Sequence, residues 1–270
     1  MNHKEIVIAF KDEVEKESLI VSLCEAGFDG FAEEEQILKA YIEEENFDVD
    51  KLNNLSKLND FTYSINHIAE QNWNQLWESN YEPVIVDDFV AVLADFHEPI
   101  SGVQHEIRIT PKMSFGTGHH ATTYMVLKLM SDLDFKDKTV FDFGTGTGIL
   151  AIMAEKLGAK SILAIDYDNW CIENAAENII RNNSQKITLE KGDTADCKQL
   201  FNIQIANINK NIIQDNVAYL SSQGTENAIL LLSGLLAEDE ADIHTLFTER
   251  GWHQQKVLHQ NGWIALQFNK

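Results

Sequence analysis

Three glycines at two-residue spacing, Gly144, Gly146 and Gly148, follow the apolar run Thr139 to Phe143 and open the apolar stretch Ile149 to Leu157, which Gly158 caps. A strand that turns into a helix over Asp142-Phe143-Gly144-Thr145-Gly146-Thr147-Gly148 lets a ligand approach the backbone closely, because glycine has no Cβ. The helix N-terminus beyond it favours electron-rich groups. Dinucleotide folds space these glycines as G-x-G-x-x-G, whereas here G-x-G-x-G follows Asp142, a spacing that favours S-adenosylmethionine over NAD. At the end of the next apolar run, Ser161 to Ile165, stands Asp166, placed so that its carboxylate can accept hydrogen bonds from both ribose hydroxyls. Asp168, just before a helix starting near Asn169, reads as an N-cap instead.

Two further polar turns bear on the same chemistry. Phe115-Gly116-Thr117-Gly118-His119-His120-Ala121-Thr122-Thr123 leads into a helix running through Leu129. Adjacent histidines do not share a helical face, so no two-His metal site is expected, and for His120 a structural or substrate-positioning role outweighs that of general base. Asn207-Ile208-Asn209-Lys210 follows the fourth apolar strand, at the carboxyl edge where open α/β sheets place ligands. It lacks the polar-Pro-Pro-aromatic signature of methyltransferases acting on exocyclic amines of nucleic acids.

The elements that must hold these turns separate into two patterns. From Lys138 onward, apolar runs at Thr139 to Phe143, Ser161 to Ile165, Ile203 to Ile208 and Ala228 to Leu232 alternate with helical segments, as in a buried parallel sheet. Trp252 to His259 and Trp263 to Phe268 then flank Asn261-Gly262, a two-residue hairpin signal, so a doubly wound Rossmann-like α/β sheet closed by an antiparallel hairpin is expected. Residues 1–69 read instead as β-α-β-β-α-β, with Leu19, Ile20, Leu23 and Cys24 on one helical face, the outline of a ferredoxin-like domain. Residues 70–84, containing Trp73 and Trp77 one helical turn apart, read as an ordered linker to the second domain at 85–270, with both rings packed between domains.

Composition sets limits on partners. With 270 residues, 44% hydrophobic and 24% charged, the chain has material for a real core. A net charge of −22 argues against affinity for phosphate backbones and suits a basic partner. Residues 1–60 hold 16 Asp and Glu against 6 Lys and Arg. Such acidic runs are more often a solvated face than a docking surface, although both readings fit. Cys24, Cys171 and Cys197 offer neither a disulfide framework nor a zinc site and read as reduced, mostly buried thiols. No stretch reaches the ~18 apolar residues of a membrane span, and a cytoplasmic protein is expected.

Taken together, Phe115-Gly116-Thr117-Gly118-x-His120-x-Thr122-Thr123, the Asp142 to Ala151 segment, Leu157-Gly158-Ala159 and Ala206-Asn207-Ile208 resemble the methyltransferase family of large-subunit ribosomal protein L11, over the whole chain. The resemblance implies S-adenosyl-L-methionine as cofactor, contacted by Thr123, Gly144, Asp166 and Asn207, with Gly146, Phe115, Gly116 and Thr117 completing the site. It also implies N-methylation of lysine ε-amines and of the N-terminal α-amine of L11, free or on the ribosome. Asn207 and its turn are then the expected positioners of the amine, no metal is required, and the acidic first domain would recruit the basic substrate. His119, Ala121 and Asn209-Lys210-Asn211 depart from the family pattern on the substrate side. Two alternatives stay open: another protein or small molecule as substrate on the same fold, and a noncatalytic ribosome-associated module.

Overall fold

On β1 (His3–Ala9) Ile6 and Ile8 are buried while their neighbours are partly exposed, the period-two pattern of a strand with one covered face. β1 pairs antiparallel with β3 (Ile37–Glu43) and β4 (Tyr63–Ile68), and β2 (Gly30–Glu34) pairs with β3, giving the order β2-β3-β1-β4. α1 (Glu13–Ala26) and α2 (Val49–Leu58) supply Leu19, Leu23 and Leu52 to the core formed by Ile6, Ile8, Leu38 and Ile42. Asp12 and Asp48 cap these helices by accepting backbone N–H bonds, and Gly27 at φ +103° ends α1. The sheet is thus the ferredoxin-like arrangement.

The apolar face of α1 differs from expectation. Leu19, Leu23 and Ala26 are buried, and Cys24 is exposed, because the stripe follows the i, i+4, i+7 path and carries Cys24 round to its edge. Cys171 and Cys197 are half-buried, so none of the three thiols is buried as composition suggested. Cys24 sits at the edge of the α1 stripe, whereas Cys197 packs against the core of the second unit but is only partly covered.

This computed structural model describes residues 3–68, 81–112 and 116–270, in two compact units of residues 1–81 and 82–270. Trp73, Trp77 and most of the segment read as a linker lie outside the described residues.

In the second unit β8 (Thr139–Phe143), β9 (Ser161–Asp166), β10 (Ile187–Lys191), β11 (Phe201–Asn207) and β12 (Gly224–Leu236) are parallel, and β13 (His253–Gln260) and β14 (Trp263–Asn269) run antiparallel at one edge. The order β10-β9-β8-β11-β12-β14-β13 reverses direction between β8 and β11, and at such a switch point the carboxyl ends of two strands open a crevice. The strands read as apolar runs because both faces are covered: Val140, Ile203 and Leu231 belong to one core cluster, Phe141, Phe143 and Leu230 to the other. Asn261 and Gly262 both have positive φ, +52° and +81°, as the tight hairpin turn requires.

The covering helices are α3 (Ala121–Met130), α4 (Ile149–Lys156), α5 (Asn169–Arg181), α6 (Lys210–Asp215), α7 (Val217–Ser222) and α8 (Glu240–Thr248). A three-stranded sheet of β5 (Val84–Val86), β6 (Val90–Leu93) and β7 (His105–Arg108) was not legible in sequence, since strands of three or four residues are too short to show a period.

Beyond β7 the chain is gripped by a row of asparagines on α5. Asn182 accepts from Arg108 N–H at 3.0 Å and donates to Arg108 C=O at 2.6 Å, and Asn178 accepts from Thr110 N–H at 2.8 Å while donating to Thr147 C=O at 2.9 Å. Asn174 takes a further bond from Asn178 at 2.7 Å. The segment entering the second glycine-bearing turn is therefore tied through one helix to the first. No described helix is long and apolar enough to cross a membrane.

Candidate cofactor and active site

The turn after β8 has Gly144, Gly146 and Gly148 at φ +76°, +56° and +80°, conformations that side chains rarely adopt. A Cβ on Gly144 would stand 2.2 Å from Ile208 Cγ2, so the approach of the β11 turn to the glycine turn requires this residue type. Gly144 and Thr145 N–H both donate to Ile165 C=O at 2.9 Å, which fastens the turn to the end of β9. Asp166, buried at 6% exposure, adds to this: one oxygen accepts from Gly146 N–H at 2.9 Å, the other from Asp168 N–H at 3.1 Å. Each carboxylate oxygen retains a lone-pair direction for a ligand. Asp168 caps α5 by accepting from Trp170 N–H, as its position in the sequence suggests.

Asp142 lies beneath the turn at 1% exposure. Its Oδ2 accepts from the Thr145 hydroxyl at 2.6 Å, and its Oδ1 is buried without a hydrogen-bond partner. Burial pushes this carboxyl up to about 7, and the Asp166 carboxylate adds to the rise against the Thr145 hydrogen bond.

At the carboxyl ends of β8, β9 and β11 these elements enclose a cavity of about 600 Å³, a volume suited to a cofactor. Gly144, Gly146, Asp166 and Asn207 line it together. Asp168 and Asp193 also line it, and no lysine or arginine does among the described residues, so the field favours a cationic ligand. Thr123, Gly116 and Thr117 are not among the described lining residues, and Phe115 lies outside the described residues. Gly116 instead accepts from the Thr147 hydroxyl through its carbonyl at 2.6 Å, which joins the second turn to the first. Thr117 Oγ1 is 3.2 Å from His119 Nδ1, and His119 Nε2 is 2.8 Å from Glu82 C=O.

Asn207, 7% exposed, donates through Nδ2 to Thr123 Oγ1 at 3.2 Å, and its Oδ1 is buried with no partner. The following Ile208 N–H donates to Ser233 C=O at 3.1 Å, and Lys210 Nζ reaches Asp239 at 2.9 Å and Asp242 at 2.7 Å, which anchors the turn from its far side.

His120 lines the cavity and caps α3: its Nδ1 lies 3.4 Å from Thr122 N and 2.7 Å from Thr122 Oγ1. Thr122 thus engages the Nδ1 side of the ring at the start of α3. Its ring meets Trp263 edge-on, centroids 4.8 Å apart. Trp263 also lines the cavity and was missed in sequence, where it signals only a hairpin; no local pattern brings β14 against the start of α3. Among the described residues no cluster of His, Cys, Asp and Glu could hold a metal ion.

Comparison with known proteins agrees with this geometry. A family model described as ribosomal protein L11 methyltransferase (PrmA) matches residues 4–270. A ribosomal protein L11 methyltransferase of Porphyromonas gingivalis is 37% identical over 262 residues, covering 93% of this chain and 89% of that protein. One from Chlorobaculum parvum is 34% identical over 277 residues, with 97% and 96% covered. The crystal structure of a ribosomal protein L11 methylase from Lactobacillus delbrueckii subsp. bulgaricus superposes with a TM-score of 0.65 at 31% identity, covering 70% of this chain and 98% of that one.

Proposed function

Because the chain belongs to the ribosomal protein L11 methyltransferase family, we propose that it transfers methyl groups from S-adenosyl-L-methionine to lysine ε-amines and the N-terminal α-amine of ribosomal protein L11. The observation that carries this reading is the convergence of the Gly144 turn, Asp166 and the unpartnered Asn207 Oδ1 on one acid-lined cavity. Those residues fit the cofactor. Gly144 leaves room where a Cβ would intrude, Asp166 offers acceptors for ribose hydroxyls, and the acidic lining suits a molecule with a sulfonium and an ammonium.

When bound, the cofactor supplies an electrophilic methyl on a positively charged sulfur. The chain's own task is positioning, which accounts for most of the rate in such a transfer. Asn207 orients the amine, accepting one of its N–H bonds at Oδ1 so that the nitrogen lone pair is left for the methyl. Lysine, with a reference pKa of ~10.4, must arrive neutral, which desolvation on entry favours. The proton departs to water, and His120 holds the wall of the site through its cap and its contact with Trp263.

Residues 1–69 form the substrate-recognition domain and residues 85–270 the methyltransferase domain, with the acidic first domain recruiting a basic protein in the cytoplasm. Incubating the purified chain with labelled cofactor and L11, followed by peptide mass mapping, tests the assignment. Methyl mass on lysines and on the N-terminus of L11 is expected. Cofactor binding with no label in L11 would turn the reading toward another substrate or a noncatalytic module.

A further inference from the structure

The helix that follows the Asn207 turn has little to hold it in place by itself. α6 (Lys210–Asp215) is six residues long, no side chain caps its first turn, and it begins with a cation where the helix field favours an anion. A helix that short is not stable alone in water, so its place is set by the rest of the fold. Asn209 and Ile212, at its start and within it, line the same cavity as Asn207.

The support comes from the end of β12. Ile208 N–H donates to Ser233 C=O at 3.1 Å, and the next residue, Gly234 at φ +80°, packs so closely that a Cβ there would stand 2.4 Å from the Ile208 oxygen. Beyond it, Leu236 N–H donates to Asp239 Oδ2 at 2.9 Å, which fixes that carboxylate and leaves its Oδ1 for Lys210 Nζ, also at 2.9 Å. Asp242, in the first turn of α8, meets the same ammonium at 2.7 Å. The Lys210 and Asp239 side chains are 26% and 14% exposed, so water screens their attraction less than that of an ordinary surface pair. The turn is therefore tied to the end of β12 at two points, Ile208 and Lys210. One tie permits rotation about itself, and the second removes that freedom. Such freedom is costly beside a reacting group, where a misplacement of about 1 Å can lower the rate on the order of a hundredfold.

We propose that Lys210 is a positioning residue for methyl transfer: bridged to Asp239 and Asp242, it fixes the turn that carries Asn207. This rests on the amine-positioning role of Asn207 proposed above. Asp239, held by the Leu236 main chain, is the fixed end of the bridge.

The test uses the full-length chain with S-adenosyl-L-methionine and L11. Lys210→Met, which keeps the stem and removes the charge, should lower kcat about fivefold to thirtyfold, while the KM for L11 and the calorimetric dissociation constant for cofactor stay within about threefold. Lys210→Arg should recover most of the rate. Asp239→Asn reaches the same bridge from its other end, should lose a comparable amount, and serves in its place should Lys210→Met fold poorly. The double variant Lys210→Met/Asp239→Asn should lose little more than either alone, the mark of one shared interaction. In an Asn207→Ala background Lys210→Met should cost nothing further, because no amide is left to position. An unchanged kcat in Lys210→Met beside a damaged Asn207→Ala would overturn the proposal, as would additive losses, a change confined to the KM for L11, or a fall in cofactor affinity that matches the loss in rate. If Asn207→Ala itself keeps the full kcat, the role of Asn207 falls and this inference with it, a result distinct from the others.

Discussion

Carboxylates in the two units of this molecule do opposite things. In the first, Glu33, Glu34 and Glu35 stand exposed at the β2–β3 turn, Glu33 paired with Lys16 at 2.9 Å and Glu34 with Lys39. In the second, Asp142 and Asp166 are buried at 1% and 6% exposure under a glycine turn. Water and salt screen the exposed group, so its value lies in number and long-range attraction. The buried pair is few but each atom has a designated partner or lacks one, and its value lies in geometry. Counting acids along the sequence weighs both kinds alike; their surroundings separate them.

Removing the first unit, residues 1–81, is the severest test of that division. The remaining unit should still bind cofactor, because Gly144, Asp166 and Asn207 all belong to it, while kcat/KM toward L11 falls on the order of a hundredfold or more through lost recruitment. A truncated chain that methylates L11 near the full-length rate would leave the acidic unit without a substrate role.

Asp142 sharpens the other side. Its carboxyl is held near 7, above the unfolded value of about 3.9, so the native state binds the proton more tightly than the unfolded chain. The stabilisation is complete below pH ~4 and is lost as pH rises through 7, on the order of a few kcal/mol. Denaturant unfolding of wild type should thus weaken from pH 5 to pH 8, and Asp142→Asn should remove much of that slope. Equal slopes would mean that Asp142 is ionised in the folded protein across the range.

A smaller effect is expected from Asp166→Ala, which should weaken cofactor binding roughly tenfold to a hundredfold, the value of charge-assisted bonds worth about 1.5–3 kcal/mol. Unchanged calorimetric affinity in a folded variant would take Asp166 out of the site. Smallest of all, replacing Glu33, Glu34 and Glu35 with Gln should slow association with L11 only about twofold to fivefold, with little change in dissociation. Two of the three already face lysines, which blunts their outward field. Stopped-flow traces over a salt series would show it, and a change confined to koff would assign these residues to a direct contact.

What could be read from sequence follows the range of the interaction involved. The glycine turn and Asp166 are joined by bonds within one strand-helix-strand unit, and the Asn261-Gly262 turn is wholly local, so both were legible. The contact of Trp263 with His120 and the bond from Asn207 to Thr123 close over long stretches of chain, and neither partner carries a local mark of the other. Thr123 was named as a cofactor contact by the family resemblance alone, and its bond to Asn207 carries no mark in the surrounding sequence.

The asparagine row on α5 grips only main-chain atoms of Arg108 and Thr110. A side chain that reads N–H and C=O is indifferent to what the gripped residue carries, so substitutions at these two positions meet little resistance from this contact. The gripping positions are in the reverse case: at 178 and 182 aspartate lacks the donor, glutamine is a methylene too long, and leucine strands several backbone groups. One helix surface therefore tolerates almost nothing, while at 108 and 110 any constraint comes from other bonds, those of Arg108 to Glu106 and His97 C=O and of Thr110 Oγ1 to Arg181. A combinatorial library spanning both segments should return folded chains with varied residues at 108 and 110 and asparagine retained at 178 and 182.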